Sequence, residues 1–186
     1  FLNPNNESIK NLLKPIFEQE LNTFPKTSEL VIDISAKLEQ VYHAQVKAHP
    51  INLFMHHKKG RFLIEPSGEE FSLKGTRQKF RKLEIVELLN TSPSVFSPNV
   101  LLRPICQDYI LPTCIYVAGP SEIAYFAQLK PVYNYFKITM PILYPRASVT
   151  LIESKIRKIL DKYKISFSEL LANYDGVLRK VSDEVS

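Results

Sequence analysis

The turn Ala118-Gly119-Pro120-Ser121-Glu122 lies between a β-rich run and a helical one, so backbone amides and the positive end of a helix dipole can face an anion there. The same residues also describe an ordinary strand-to-helix turn, with proline in the first helical turn and an acid favoured by the dipole. A single glycine is a much weaker signal than a glycine-rich phosphate loop. Arg103, Gln107 and Asp108 are separated by four and five residues in a helical pattern, which puts Arg103 and Gln107 on one face and Asp108 to one side. Together they can hold a carboxylate and an amine, or make a salt-bridged helix surface. Arg146 follows Tyr144-Pro145 at the end of a strand candidate, where a guanidinium can clamp a carboxylate or phosphate through two parallel hydrogen bonds.

Other chemistries lack their residues. His56 and His57 are neighbours on a presumed strand and point to opposite faces, while His43 and His49 fall near loops, so no metal site is expected. No nucleophile elbow and no Walker-type loop occurs. Cys106 and Cys114 have no metal spacing and are too few for a disulfide framework; both are expected to be small buried hydrophobes in a reducing cytoplasm.

These groups need elements to position them. A helix is expected from Glu7 to Leu21, capped by Asn5 or Asn6 and kinked or divided at Pro15, and a second from Ser28 to about Tyr42. Alternation through Ile51, Leu53 and Met55, then Phe62 and Ile64, predicts a hairpin turning at Lys58-Lys59-Gly60, with a third short strand from Phe71 to Leu73. A polar helix follows from about Gln78 to Asn90, with Phe80, Leu83, Val86 and Leu89 on its apolar side. The hairpin, the third strand and this polar helix look peripheral to any chemistry.

From Asn99 to Glu153 the pattern alternates: a helix capped by Asn99 running through Tyr109, a strand from Thr113 to Val117, a helix from Gly119-Pro120 to about Leu129 before Pro131, and a short buried strand from Pro141 to Tyr144. Such alternation predicts an α/β layer with parallel strands, where ligands sit beyond the strands' carboxyl ends. The tail from Ile152 is helical by pattern, without the sustained heptads that establish a coiled coil.

The 186 residues are 45% hydrophobic, enough for an ordinary core. The net charge of +5 is a mild bias towards anionic small molecules, and the absence of a dense basic stripe argues against nucleic acid. The run Ile110 to Gly119 is about half of the ~20 residues that a membrane helix needs. The first residues have no signal-peptide character, and Phe1 in place of Met suggests a chain that begins inside a longer protein.

Three ordered runs carry a resemblance. Asn99-Val100, Arg103-Pro104, Gln107-Asp108 and Leu111-Pro112-Thr113 form the first. The second is Tyr116 with Gly119-Pro120, Glu122-Ile123-Ala124-Tyr125 and Ala127-Gln128-Leu129, and the third is Met140-Pro141 with Pro145-Arg146 and Ser148. His49-Pro50-Ile51-Asn52-Leu53-Phe54 adds a weaker fourth. In this order they resemble the BshC family, the cysteine-adding enzymes of bacillithiol synthesis; Ala118 and Phe126 depart from it where Gly and Trp are usual. The resemblance covers essentially the whole chain, but family members are much longer, and their N-terminal part, with its Gly-Gln-Gln loop, has no counterpart here.

The resemblance implies an α/β fold: part of a Rossmann-like core with a connective insert of helices and a β-hairpin, and C-terminal helices leading to a coiled coil. Residues 1–95 would be the connective region, 96–153 the core portion and 154–186 the C-terminal helices. It implies a carbon-nitrogen ligase joining cysteine to glucosaminyl-malate in the cytoplasm. Arg146, Glu122 and Asp108 would be the catalytic residues, and Arg103, Gln107, Gly119, Ser121 and Tyr125 would bind substrate. Activation of the carboxylate would use ATP or another nucleotide, and the full-length protein would dimerise through the coiled coil. A non-catalytic binding or assembly segment of a Rossmann-type nucleotide-binding protein is the alternative.

Overall fold

The computed structural model describes residues 2–58 and 60–185. Helix α1 (Glu7–Thr23) begins where the Asn6 side chain accepts the Ser8 amide at 2.9 Å. It runs unbroken through Pro15, because Leu13 before the proline and Ile16, Phe17 and Leu21 after it are buried in the same core. Helix α2 (Lys26–Leu38) follows and ends four residues short of the expected Tyr42; residues 43–49 have no regular structure.

The hairpin forms as the alternation predicts, with β1 (Leu53–His57) antiparallel to β2 (Gly60–Ser67) and His57 opposite Gly60. Strand β3 (Glu70–Leu73) extends it. The expected helix over 78–90 is divided: Lys79–Arg81 is strand β4, pairing Phe80 with Phe71, and helix α3 (Lys82–Thr91) starts only after it. The cause is local. Glu84 takes the Arg81 amide at 2.8 Å and the Arg81 guanidinium at 2.7 Å, fixing Arg81 as the residue before the first helical turn. That phase buries Ile85 and Leu89 and leaves Leu83 84% exposed, so Leu83 is not on the apolar side. A short strand β5 (Phe96–Pro98) pairs with β1 and completes a five-stranded sheet in the order β4-β3-β2-β1-β5.

Helix α4 (Leu102–Ile110), β6 (Ile115–Ala118), α5 (Pro120–Tyr135) and β7 (Ile142–Pro145) form the α/β part, and β6 runs parallel to β7. Helix α5 passes Pro131, where an ending was expected. Leu129, Val132, Tyr133 and Phe136 are all buried in one core, which outweighs the roughly 3 kcal/mol that an internal proline costs. Strand β7 is not buried as expected: Ile142 and Tyr144 are exposed, beside Ile115 and Val117 of β6. The two-residue period sends Tyr116 and Leu143 to the core shared with α5 and these four side chains to the opposite face, which no described element covers.

One hydrophobic core joins α1, α3, α4, α5 and the five-stranded sheet. A buried polar chain passes through it. Glu20 accepts the Asn52 backbone and side-chain amides at 2.8 and 2.9 Å and the Thr27 hydroxyl at 2.6 Å. The Asn52 side-chain oxygen accepts the Asn99 amide at 2.8 Å, and Asn99 in turn accepts the Leu101 amide at 2.8 Å where α4 begins, the capping expected of it. In this way α1 sets the start of the helix that carries Arg103. Cys106 is buried but Cys114 is exposed, so only the first matches the expectation.

The chain divides by contacts into two units, one ending at Arg146 and one from Ala147. The second holds α6 (Ser154–Lys162), α7 (Phe167–Ala172) and α8 (Tyr174–Val185), with Leu160 and Val177 buried. The tail is helical as its pattern predicts, in three short pieces among the described residues. None of the described helices is long and apolar enough to cross a membrane.

Candidate functional site

Strands β6 and β7 end side by side at Ala118 and Pro145, and Arg146 is tied there by its amide, which donates to the Ala118 carbonyl at 2.8 Å. The β6–α5 turn begins at the same edge. Glu122, at the third position of α5, reaches back to accept the Gly119 amide at 2.9 Å and also accepts the Tyr116 hydroxyl at 3.0 Å. The Arg146 guanidinium lies 3.9 Å from the same carboxylate. Gly119, Glu122 and Arg146 are thus brought together beyond the carboxyl ends of two parallel strands, the position at which α/β sheets take ligands.

Charge and exposure suit the cluster to a polar ligand. The Gly119 amide, then the Tyr116 hydroxyl, then Arg146 hold Glu122 below the usual carboxylate range, so it is anionic at neutral pH. Its hydrogen bond to Glu122 raises Tyr116 in return. The Glu122 side chain is 40% exposed and that of Arg146 65%, so both can be reached from solvent. Gly119 has an ordinary φ of −73°, and a Cβ there would stand 2.7 Å from the Arg146 Nη2 atom, so a side chain would push the exposed guanidinium aside.

The other expected residues separate into two groups. Asp108 is buried, with one oxygen accepting the Thr113 hydroxyl at 2.7 Å and the other the Tyr133 hydroxyl at 2.5 Å. This carboxylate binds α4 to α5, and its burial turns both oxygens towards protein hydroxyls rather than solvent. Ser121 is exposed on the first turn of α5. Tyr125 donates to the Val100 carbonyl; burial pushes its hydroxyl up to about 12, with the nearby Arg103 pulling the other way. Arg103 and Gln107, on one face of α4 as expected, line a cavity of about 620 Å³ between α1, α4 and the five-stranded sheet.

Sequence reasoning missed Lys10, His56 and Arg61, which line that same cavity. Nothing in their local spacing could have found them. They come from α1, β1 and β2, of which only the two strands were read as peripheral, and meet only through tertiary packing. Tyr116 carried a signal that was available, since a tyrosine two residues before the end of a strand shares a face with its last residue, Ala118.

A family model described as "Bacillithiol biosynthesis BshC, N-terminal Rossmann-like domain" matches residues 1–147. The protein named "Putative cysteine ligase BshC" of Salinibacter ruber is 41% identical, over 97% of this chain and 34% of its own length. Its namesake of Chloroherpeton thalassium is 46% identical over 84% of this chain and 28% of its own length. That of Natranaerobius thermophilus is 35% identical over 100% and 35%. The chain therefore spans about a third of the length of these curated relatives.

Proposed function

The chain belongs to the BshC family, and on that premise we propose that it works, as one part of a longer polypeptide, in a ligase that joins the carboxyl of cysteine to the amine of glucosaminyl-malate at the end of bacillithiol synthesis. The substrate assignment rests on the name its relatives carry. The structural observation that supports it is the Glu122–Arg146 pair at the carboxyl edge of β6 and β7, a carboxylate and a guanidinium side by side and open to solvent.

An amide does not form readily from a free carboxylate and an amine, so the carboxylate must be activated and the amine deprotonated and positioned. Arg146, with Arg103, is proposed to clamp a carboxylate or phosphate, and Glu122 to hold the incoming amine. Of the two carboxylates considered for that role, Asp108 is the one sealed by hydroxyls. Gly119 leaves room for the Arg146 guanidinium; Ser121 and Gln107 are the exposed polar groups beside the two arginines. The residues present do not form a phosphate cradle, because the single glycine of the β6–α5 turn already donates its amide to Glu122. A nucleotide, ATP or another, would activate the carboxylate.

The finer organisation belongs to the same proposal: residues 1–95 as a connective region, 96–153 as core, and 154–186 leading into a coiled coil through which a cytoplasmic homodimer forms. Light scattering of the full-length protein tests the dimer. Thiol profiling of the source cell after deletion of the full-length gene tests the ligase: bacillithiol disappears and glucosaminyl-malate accumulates. Unchanged bacillithiol would end the reading.

A second reading, a non-catalytic binding or assembly segment, is favoured by the uncovered face of Ile115, Val117, Ile142 and Tyr144. Titrating the chain with cysteine, glucosaminyl-malate and nucleotide separates the two. Binding of any of them places site residues in this chain; silence with all three favours the assembly segment.

A further inference from the structure

The cavity between α1, α4 and the five-stranded sheet collects positive charge from three separate elements. Lys10 of α1, His56 of β1, Arg61 of β2 and Arg103 of α4 line it, and no aspartate or glutamate is among its lining residues. The remaining wall is largely the apolar side of α1 and α4. Its volume of about 620 Å³ is that of a small-molecule site.

The cations have neutral partners only. Lys10, 2% exposed, donates its ammonium to the Phe96 carbonyl at 2.6 Å. Arg61 donates to the Ser97 hydroxyl at 2.9 Å and the Pro98 carbonyl at 3.0 Å, and lies over the Phe54 ring. These bonds fix where the charges point without cancelling them. No ion pair within salt-bridge distance involves Lys10, Arg61 or Arg103 among the described residues. Of these three cations Lys10 alone is buried, and buried charges in proteins are ordinarily paired because an unpaired one has lost its hydration. Like charges held in one cleft with low-dielectric walls also focus a positive potential into it. The effect on the groups themselves agrees: burial lowers the affinity of Lys10 and His56 for a proton, and Arg61 lowers both further.

We propose that this cavity is a binding site for a small, multiply charged oxyanion with an apolar portion, its carboxylates or phosphates meeting Lys10, Arg61 and Arg103 and its carbon skeleton lying on the α1–α4 wall. Lys10 and Arg61 supply fixed donors. Arg103 is exposed, and its hydrogen-bond partner is the neutral Tyr125 hydroxyl, so its charge remains available to the ligand. Its charge also reaches Tyr116 and Tyr125, so the one residue stands between this cavity and the Gly119 edge. The inference shares Arg103 with the ligase reading but depends on no turnover.

Isothermal titration of the purified chain at low ionic strength and near-neutral pH, with succinate and separately with inorganic phosphate, tests it. At least one probe is expected to bind saturably at one site; succinate alone would mark a carboxylate site, phosphate alone a phosphate site. Lys10→Met and Arg103→Gln should each weaken that binding about tenfold, the usual effect of losing one hydrogen bond to a charged group, and Lys82→Gln, exposed on the first turn of α3 and outside the cavity, should leave it unchanged. Arg103 is on the surface, so its variant keeps the fold and carries the test even if Lys10→Met does not. Absence of saturable binding with both probes, or binding that survives Arg103→Gln, overturns the proposal. Either result is independent of whether cysteine is ever ligated.

Discussion

Around Glu20, on the antiparallel side of the molecule, a carboxylate is buried and three donors converge on it. Around Glu122, at the edge of the parallel pair, a carboxylate also accepts two hydrogen bonds, yet lies open to solvent with a guanidinium beside it. The first arrangement uses up its oxygens to lock α1, α2 and β1 together. The second fixes its oxygens in place and leaves them reachable. Hydrogen bonding alone does not distinguish an enclosed acid from a reachable one; exposure and an unsealed neighbouring charge do. Asp108, expected among the catalytic residues, falls with Glu20 on this criterion.

The comparison can be broken most directly at Arg146. In the full-length protein, Arg146→Ala should cut product formation at least about a hundredfold, the scale of a lost positioning contact, with an unchanged melting temperature because the side chain is exposed and its ion pair weak. Wild-type turnover would remove Arg146 from the site. On the sealed side the consequence should be the reverse. Glu20→Ala orphans the Asn52 amides and the Thr27 hydroxyl and should cost about 3 kcal/mol in chemical denaturation. Tyr133→Phe leaves one Asp108 oxygen without its donor and should cost about 1–2 kcal/mol by the same measurement.

Two smaller effects sharpen it. Burial raises the Glu20 carboxyl above the usual carboxylate range. The folded chain then holds that proton more tightly than the unfolded one, so the associated stability is fully present below the unfolded value of about 4.3 and is lost as pH rises through the folded value. Thermal melts from mildly acid to neutral pH should show this decline in the wild type and a shallower one in Glu20→Gln, which keeps the shape but does not titrate. At the open edge, Gly119→Ala should leave the melting temperature nearly unchanged, since φ there suits any residue, while the added methyl displaces the Arg146 guanidinium and lowers turnover. Equal turnover would mean that the guanidinium's present position is not the productive one.

Much of the fold was legible because its signals are local. The α1 stripe, the hairpin ending at Gly60, the Asn99 cap and the β6-α5-β7 alternation follow from periodicity and turn chemistry within a few residues. The errors were of another kind. Pro131 predicts a helix end that packing overrides, and the apolar run of β7 predicts burial that no described element supplies. Leu83 was placed on the wrong face because the Arg81–Glu84 cap sets the helical phase. For the site, Gly119, Glu122 and Arg146 were readable as strand-end residues, whereas Asp108 looked equally chemical until Thr113 and Tyr133 were seen to occupy it.

The amino-acid sequence by itself determined the family, the order of the elements and the residue types at the parallel-strand edge, since motif spacing and hydrophobic period depend only on neighbours along the chain. The tertiary structure alone decided which carboxylate is sealed and which is open, and which cations share a cavity. Burial is a property of what packs on top of a residue, and Lys10, His56, Arg61 and Arg103 meet only because α1, β1, β2 and α4 are folded onto one core.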